Sequence, residues 1–279
     1  MSARAQKEGV IIMRIKGVAA IAKASFLESS AYRIYFLFTI ISNLIFMAIA
    51  FYLWKAIYAG AQTDIINGMT FTETFIYLSI AGTMTSILST GLDWFMSFSM
   101  KSGEISKFFT RPMDFQLMFF ASSAGDILTN IIIMLLPSCI IVFFVTDGAI
   151  RLGWNILFFL ISLLLAAVLC LCFDFIIGLI SFYTESIWGI SALKDGVVTL
   201  LAGGIIPIAF FPETFRKIIE YLPFQAIYNL PLQILINSEL TIPNYLRILL
   251  LQLFWVVVLL IVSRIFYKFA RRAITINGG

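Results

Sequence analysis

Long apolar runs separated by short polar segments dominate the chain, and six stretches are long enough to cross a membrane. The hydrocarbon core of a bilayer is about 30 Å thick, which takes roughly 20 helical residues to span. The fifth stretch is the least clear, because its most apolar part covers only residues 197–211. The pattern predicts an all-α membrane protein, one transmembrane domain over residues 1–279, with spans at about 34–54, 71–92, 117–145, 154–182, 187–211 and 246–269.

Two further segments have helical patterns but are not predicted to cross. Residues Ile11–Ser30 mix apolar positions with cations, which is typical of a helix lying in the inner membrane interface, the alternative being a solvated tail. Between the last two spans, Pro212 begins a short amphipathic helix, Glu213 lies in its first turn and Pro223 ends it. The apolar piece 224–236 is too short to cross, so we interpret it as re-entrant or interfacial.

Composition changes the picture mainly by exclusion. The chain is 61% hydrophobic and only 12% charged, far from the balance of soluble domains. Histidine is absent from the sequence, which excludes Ser-His-Asp triads and most zinc sites. The three cysteines lie in apolar runs and are interpreted as packing residues with reduced thiols. No cleavable signal peptide is found. No phosphate-binding G-x-x-x-x-G-K-[ST] loop is found either, so we expect no ATP or other cofactor on this chain.

Basic residues cluster on one side of the predicted spans. Lysine and arginine are commoner in cytoplasmic loops, so both termini and the segment 93–116 are predicted to be cytoplasmic. The residues assigned to that side are Arg4, Lys7, Arg14, Lys16, Lys23, Arg33, Lys101, Lys107, Arg111, Lys194, Arg264, Lys268, Arg271 and Arg272. The opposite side has Lys55, Arg151, Arg216, Lys217 and Arg247.

The segment 93–116 is the longest charged insertion between two predicted spans, and we call it the elbow. Ser102-Gly103 interrupts it and Arg111-Pro112 ends it, which predicts two short helices. Ser102 is expected to cap the second helix, with Glu104 in its first turn. A compact helical elbow offers a contact for a soluble partner, and an ordinary solvated loop is the alternative.

Several polar residues fall inside the predicted spans. An intramembrane carboxylate costs about 2.5–3.5 kcal/mol on insertion scales, so Asp126, Asn130 and Asp174 are candidate pathway residues. Helix–helix hydrogen bonding is the alternative for all of them, and we expect it for Asn43 and Gln252. The overlong third span also allows Asp126 to reach the inner interface. Small-residue patches at 81–82 and 203–204 permit close helix contact and indicate either a dimer seam or local flexibility.

Three stretches resemble the type-2 permeases of ATP-binding cassette (ABC) transporters, in particular a bacterial branch with a terminal Gly-Gly. They are the elbow sequence KSGEISKFFTRPMDF, the exit IGLISFYTESI and the run LAGGIIPIAFFPETFRKIIEYLPFQAIYNLP, followed by the tail ARRAITINGG. The resemblance implies a single permease domain of six spans in the bacterial inner membrane, with an N-terminal interfacial helix. It also implies a second permease subunit, export of the substrate, and separate ABC ATPase subunits that bind ATP and magnesium.

The resemblance also implies roles for particular residues. The elbow would couple to the ATPase, and the outer segment would help to close the outer gate. The elbow's Gly-Glu order departs from the Glu-x-x-Gly order of many type-2 permeases, which leaves the individual contact residues open. The coupling residues are Lys101, Gly103, Glu104, Lys107, Arg111 and Pro112, and the gate residues are Pro207, Pro212, Glu213, Pro223 and Phe224.

Two other function classes fit parts of the sequence. A stand-alone ion-coupled transporter or channel would use Asp126 or Asp174 as a proton or cation site. An intramembrane enzyme is disfavoured, because there is no histidine and an aspartyl pair of Asp126 and Asp174 is the only carboxylate arrangement available to it. We therefore predict a permease subunit that is not itself an enzyme.

Overall fold

The computed structural model describes residues 3–31, 33–61, 63–150, 153–237 and 240–273, with the side chains of residues 3–15, 33 and 35 excepted. The tail at 274–279, with its terminal Gly-Gly, lies outside the described residues. Helices make up most of the fold. They are α1 (Ala3–Ala31), α2 (Arg33–Ala61), α3 (Phe71–Leu88), α4 (Leu92–Lys101), α5 (Ile105–Phe109), α6 (Phe115–Asn130), α7 (Leu136–Val145), α8 (Trp154–Ile180), α9 (Trp188–Leu201), α10 (Glu213–Ile219), α11 (Asn229–Ile236) and α12 (Ile242–Ala270).

Five helical stretches are long and apolar enough to cross a membrane, and they correspond to five of the six predicted spans. Their bounds are Phe36–Ala61, Phe71–Lys101, Phe115–Val145, Trp154–Ile180 and Ile242–Ala270. An all-α membrane protein is thus confirmed. The remaining prediction, residues 187–211, contains α9, which has only 14 residues.

Two glycines explain why α9 is short. Gly203 has a φ of +84°, in the left-handed region that side chains rarely adopt. Its amide donates to the Leu200 carbonyl at 3.2 Å, and the Gly204 amide donates to the Thr199 carbonyl at 2.8 Å. These are the two bonds of a Schellman motif, which ends a helix. The chain then continues through a short 3₁₀ turn, Ile208–Phe210, in place of further α-helix.

Local sequence signals also explain the ends and the bend of other helices. Asn67 and Gly68 both have positive φ and join the two-residue strands β1 (Ile65–Ile66) and β2 (Met69–Thr70), as an Asn-Gly hairpin turn does. Thr70 and Glu73 then form a capping box at the start of α3. Between α6 and α7 the helix passes through a π-helical turn, Ile131–Leu135, just before Pro137, whose missing amide N–H disrupts the α-helical hydrogen bonds.

The N-terminal helix α1 lies lengthwise against α6, and the two run in the same direction. Gly17 faces the Met113 sulfur, and further along Ser25 Oγ lies 3.3 Å from Ser122 Oγ. Gly125 permits this contact, because a Cβ there would lie 2.7 Å from the Ser25 Cβ. Helix α1 thus packs on the third span, while the prediction of an N-terminal helix in the membrane interface stays a prediction.

The segment between α9 and α12 folds back along α8. α10 begins beside the β1–β2 turn, because Pro212 and Glu213 line a shallow cavity with Asn67. The chain then reaches the last third of α8, where the Phe224 ring stacks on Phe173 with centroids 5.5 Å apart. α11 returns to the start of α8, since Leu235 and Trp154 line one cavity. The segment therefore folds back along α8, and its predicted re-entrant or interfacial position in the membrane stays a prediction.

Candidate functional site

A buried group of charged side chains joins α4, α8 and α9, and we call it the node. Its centre is Lys194 of α9, whose Nζ lies 3.2 Å from Asp93 Oδ2, 2.5 Å from Asp174 Oδ1 and 2.8 Å from Asp195 Oδ1. The side chains of Lys194, Asp93 and Asp174 are 11%, 2% and 8% exposed. Asp195 is largely exposed, so the buried part of the node has two carboxylates around one ammonium and an excess of negative charge.

Hydroxyl groups complete the node. Ser191, one helical turn before Lys194, donates to Asp93 at 2.5 Å, so both residues of α9 hold the same carboxylate. Thr90 donates to Asp174 at 3.0 Å, just before Gly91, whose left-handed φ of +62° begins α4. Every member of the node therefore has a hydrogen-bond partner, as buried charges require.

Close packing accompanies these bonds. Gly178 of α8 lies directly against α4, because a Cβ at this position would be 2.7 Å from the Met96 sulfur and 3.3 Å from the Asp93 Cα. The absence of a side chain at Gly178 lets the two helices approach closely enough for Asp93 and Asp174 to share one lysine. The node and this contact fix α4 to α8 and α9.

Two cavities, each with hydroxyl groups among largely apolar side chains, extend from the node along α3 and α9. The first has a volume of about 220 Å³ and is lined by node residues together with Tyr228. It shares Thr85 and Thr199 with a second cavity of about 380 Å³, where Ser42 and Ser86 add hydroxyl groups. We call the two together the polar seam.

Tyr77 lines a third cavity of about 520 Å³ near α10, while Gly204, the neighbour of Gly203, lines the second cavity of the seam. The Tyr77 ring is buried, and a Cβ added at Gly203 would overlap the Tyr77 hydroxyl, which lies 3.5 Å from Asn229 Oδ1. Ala202 accepts a hydrogen bond from the Asn229 amide at 3.2 Å, which ties α11 to the end of α9. We call the meeting of Tyr77, Gly203 and Asn229 the seal.

The elbow consists of two helices, as predicted, but its capping differs from the prediction. Ser102 ends α4 and donates to the Ser99 carbonyl, so its predicted role as the cap of α5 is wrong; Glu104 occupies that position without a capping bond. The reason is Gly103, whose φ of +73° reverses the chain one residue later than a Ser102 cap would need. The predicted coupling residues Lys101, Gly103, Glu104, Lys107, Arg111 and Pro112 are all exposed.

Aromatic and charged contacts attach the rest of the elbow to the spans. Phe108 of α5 packs against Phe119 of α6, with ring centroids 4.9 Å apart. Asp114 caps α6 by accepting from the Leu117 amide at 2.9 Å, and it pairs with Arg264 of α12 at 2.6 Å. Burial alone would raise the pKa of Asp114, but the bonds from Arg264 and Leu117 outweigh it and hold that pKa below its ordinary value.

The other predicted pathway residues are separate from the node. Asp126 accepts hydrogen bonds from Ser29 and Ser25 of α1, and Asn130 lies half-buried one turn further along α6. Within the described part of the chain Asp126 and Asp174 bond to different partners on different helices, so the structure does not bring them together as an aspartyl pair. Of the three predicted polar residues, only Asp174 lies at the node.

The expectation for Asn43 and Gln252 is confirmed, since both bond between helices. Asn43 of α2 donates to Ser138 at 2.7 Å and to Thr83 at 3.0 Å. Gln252 of α12 accepts from Ser162 at 2.7 Å and donates to the Ala226 carbonyl at 2.8 Å. Gln252 thereby holds the tip of the fold-back segment against α8.

The predicted gate residues lie along the chain that leaves and returns to the seal. Pro207 is buried and lines the third cavity next to Tyr77. Pro212 precedes α10 and Glu213 pairs with Lys217 at 2.7 Å, as expected of a helix start. Pro223 and Phe224 form the 3₁₀ turn at the tip of the fold-back. Their role in gating stays a prediction.

The comparison with known families agrees with this architecture. The profile described as "ABC-2 family transporter protein" matches residues 32–278, almost the whole chain. The chain belongs to the ABC-2 transporter family. No curated protein gave a significant match. Membership makes this ABC-2 chain a multi-pass membrane permease subunit of an ABC transporter, which is not itself an enzyme and which associates with an ABC ATPase subunit.

Sequence reasoning missed most of the node. Lys194 is assigned to a cytoplasmic loop by the charge pattern, whereas the structure places it inside α9 with its ammonium largely buried. Asp93 is assigned to the polar elbow, yet it is almost completely buried. The available signal is the pairing Ser191–Lys194 on one face of a helix opposite Asp174, which becomes visible only once α9 is known to be helical.

Proposed function

We propose that this ABC-2 permease is an exporter subunit whose pathway forms between two permease copies in the bacterial inner membrane, powered by separate ATPases. Each of the two subunits would cross the membrane six times. We assign the fifth crossing to α9 together with the irregular residues 202–211, which run from the node to Phe210 beside Trp54 near the outer end of α2. Irregular backbone at membrane depth is tolerated where it lines a cavity or is buried in protein.

The polar seam supports the placement of the pathway. Asp195 is 61% exposed, and Ser42, Ser86 and Ser89 are also exposed on the same side of the subunit. A carboxylate facing lipid is costly, and intramembrane polar groups face protein or water instead. The α2–α3–α9 face would therefore border the pathway and the second subunit, which is homologous or identical.

The observation that carries the proposal is the exposed tip of the elbow, which is joined rigidly to the spans. The tip presents Lys101, Glu104 and Lys107 to solvent. Behind it, α4 is fixed to α8 and α9 by the node, and α5 to α6 by packed rings. A soluble ATPase that grips the tip would thus move several spans at once. With the elbow and both termini in the cytoplasm, ATP and magnesium would be bound by that ATPase.

A docking experiment tests the proposal. The chain is co-expressed with the ABC ATPase whose gene we expect beside its own, extracted in mild detergent and purified through a tag on the permease. Glu104→Lys is expected to lose most of the bound ATPase and to keep the membrane fold, because Glu104 is 47% exposed and its pair with Lys107 contributes little.

Glu213→Lys is the matched control. Glu213 is also an exposed glutamate in a short helix, paired with a lysine one turn away, but it lies in α10 at the opposite end of the fold. This variant should retain the ATPase. Undiminished co-purification of the Glu104→Lys variant would contradict the elbow as the docking point. Transport by the purified chain in liposomes, driven by a proton gradient without ATP, would contradict the exporter and favour the ion-coupled alternative.

A further inference from the structure

We propose that Lys194 is a positioning residue that transmits movement of the elbow to the seal at Tyr77. The inference rests on the proposed function, in which an ATPase moves the elbow. It adds the route by which that movement reaches the middle of the pathway, through the node and along α9.

The node is the place where α4, which leads into the elbow, contacts α9, which borders the proposed pathway. Lys194 contacts a carboxylate on α4 and another on α8, so it is the shared partner of two helices that otherwise present like charges to each other. Asp93 lies in the first turn of α4, the helix that leads directly to the elbow tip. A displacement of α4 therefore acts on Asp93 and, through it, on Ser191 and Lys194 of α9.

Helix α9 connects the node to the seal. Its buried face carries Ser191 and Val198, with Lys194 between them. From Lys194 to Gly203 is nine residues, or about 13 Å at the helical rise. Since α9 is continuous until Leu201, a rotation or shift at the node is carried to its end.

The seal is built to respond to the end of α9. Gly203 lies against the Tyr77 hydroxyl, and an added Cβ would overlap that oxygen, so the contact is already close. The two glycines of the Schellman motif allow the backbone to change direction there. Withdrawal of α9 would separate Gly203 from Tyr77, at the point between the second cavity of the seam, lined by Gly204, and the third cavity, lined by Tyr77.

The test uses the complex of permease and ATPase in lipid nanodiscs. Amide hydrogen exchange is measured by mass spectrometry for residues 92–101 and 196–211, without nucleotide and with ATP plus vanadate. In the wild type both segments should change with nucleotide. Allosteric coupling commonly amounts to about 5–150-fold, so Lys194→Met should reduce the nucleotide-dependent change in 196–211 at least about fivefold while the change in 92–101 persists.

Three further variants separate positioning from folding. Lys194→Arg keeps the cation and should restore the response in 196–211. The triple variant Asp93→Asn, Asp174→Asn and Lys194→Met leaves no unpaired buried charge, so it should fold and bind the ATPase but remain uncoupled. Lys217→Met, an exposed lysine with one glutamate partner, should behave as the wild type.

Distinct results overturn the inference and the proposed function. A wild-type complex in which nucleotide changes 92–101 but not 196–211 would refute the route through α9, independently of any variant. A full response in the Lys194→Met or triple variant would show that Lys194 does not position α9. Failure of the wild type to bind any ABC ATPase would instead refute the proposed function.

Discussion

Removing the positive charge at the centre of the node should destabilise the subunit more than removing any exposed lysine. In Lys194→Met the carboxylates of Asp93 and Asp174 remain buried without their cation. Breaking a buried ion pair in this way costs about 3–5 kcal/mol. The neighbouring cavity of about 220 Å³ is large enough to hold water beside the node, so we expect the lower end, about 3 kcal/mol.

Thermal unfolding in a single detergent measures this effect. For a chain of this size 1 kcal/mol corresponds to about 2–4 °C, so the apparent Tm should fall by about 6–12 °C. Lys217→Met removes an exposed lysine that is 65% accessible and should change the Tm by little. The triple variant with Asn at 93 and 174 and Met at 194 should lie closer to the wild type, because no charge is left unpaired.

The pattern across these variants is the decisive result. If Lys194→Met unfolds at the same temperature as Lys217→Met, the ammonium is not the counter-ion of two buried carboxylates. If the triple variant is as unstable as Lys194→Met, the loss comes from side-chain volume and not from unpaired charge. Either outcome would refute the electrostatic account of the node.

Two predictions concern the end of the fold that carries the elbow. Gly125→Ala should push α1 away from α6, because its Cβ would lie 2.7 Å from the Ser25 Cβ. We expect the free energy of unfolding to fall by about 1–3 kcal/mol and proteolysis of α1 to become faster. Gly60→Ala, whose Cβ would have nothing within 4 Å, should change neither. The lowered pKa of Asp114 means that its pairing with Arg264 stabilises the fold fully above about pH 4 and is lost as pH falls through the lower folded value. Since both side chains are over a third exposed, the effect should be below about 1 kcal/mol, and a Tm–pH curve that is identical for Asp114→Asn would contradict it.

Five spans could be predicted because each is a long apolar helix and length alone identifies it. For the remaining span, residues 187–211, hydropathy predicted the position but not that the helix ends at Leu201, because hydropathy carries no signal for the end of a helix. The glycines at 203 and 204 were visible as a small-residue patch, yet only the positive φ of Gly203 shows that they terminate α9. The Asn67-Gly68 hairpin had a recognisable turn signal that a search for spans passes over.

The candidate site was predictable only in part. Asp174 was selected because a carboxylate in an apolar run is costly, and it does lie at the node. Asp126 satisfied the same criterion but bonds to serines of α1, a contact that depends on how α1 packs and not on any local pattern. Tyr77 and Asn229 are 152 residues apart, so their meeting at the seal follows from the fold-back of α11 alone.

Counting charges assigned Lys194 to a loop, and the physical reason for its burial bears on function. A buried ion cluster is seldom more stable than apolar side chains of the same volume, so stability is a weak reason for three charges at one place. Ion pairs differ from apolar contacts in their direction and in their ability to exchange partners with water. Beside a polar cavity, Lys194 can exchange an aspartate for water as α4 and α9 separate, which suits a joint that must both hold and move.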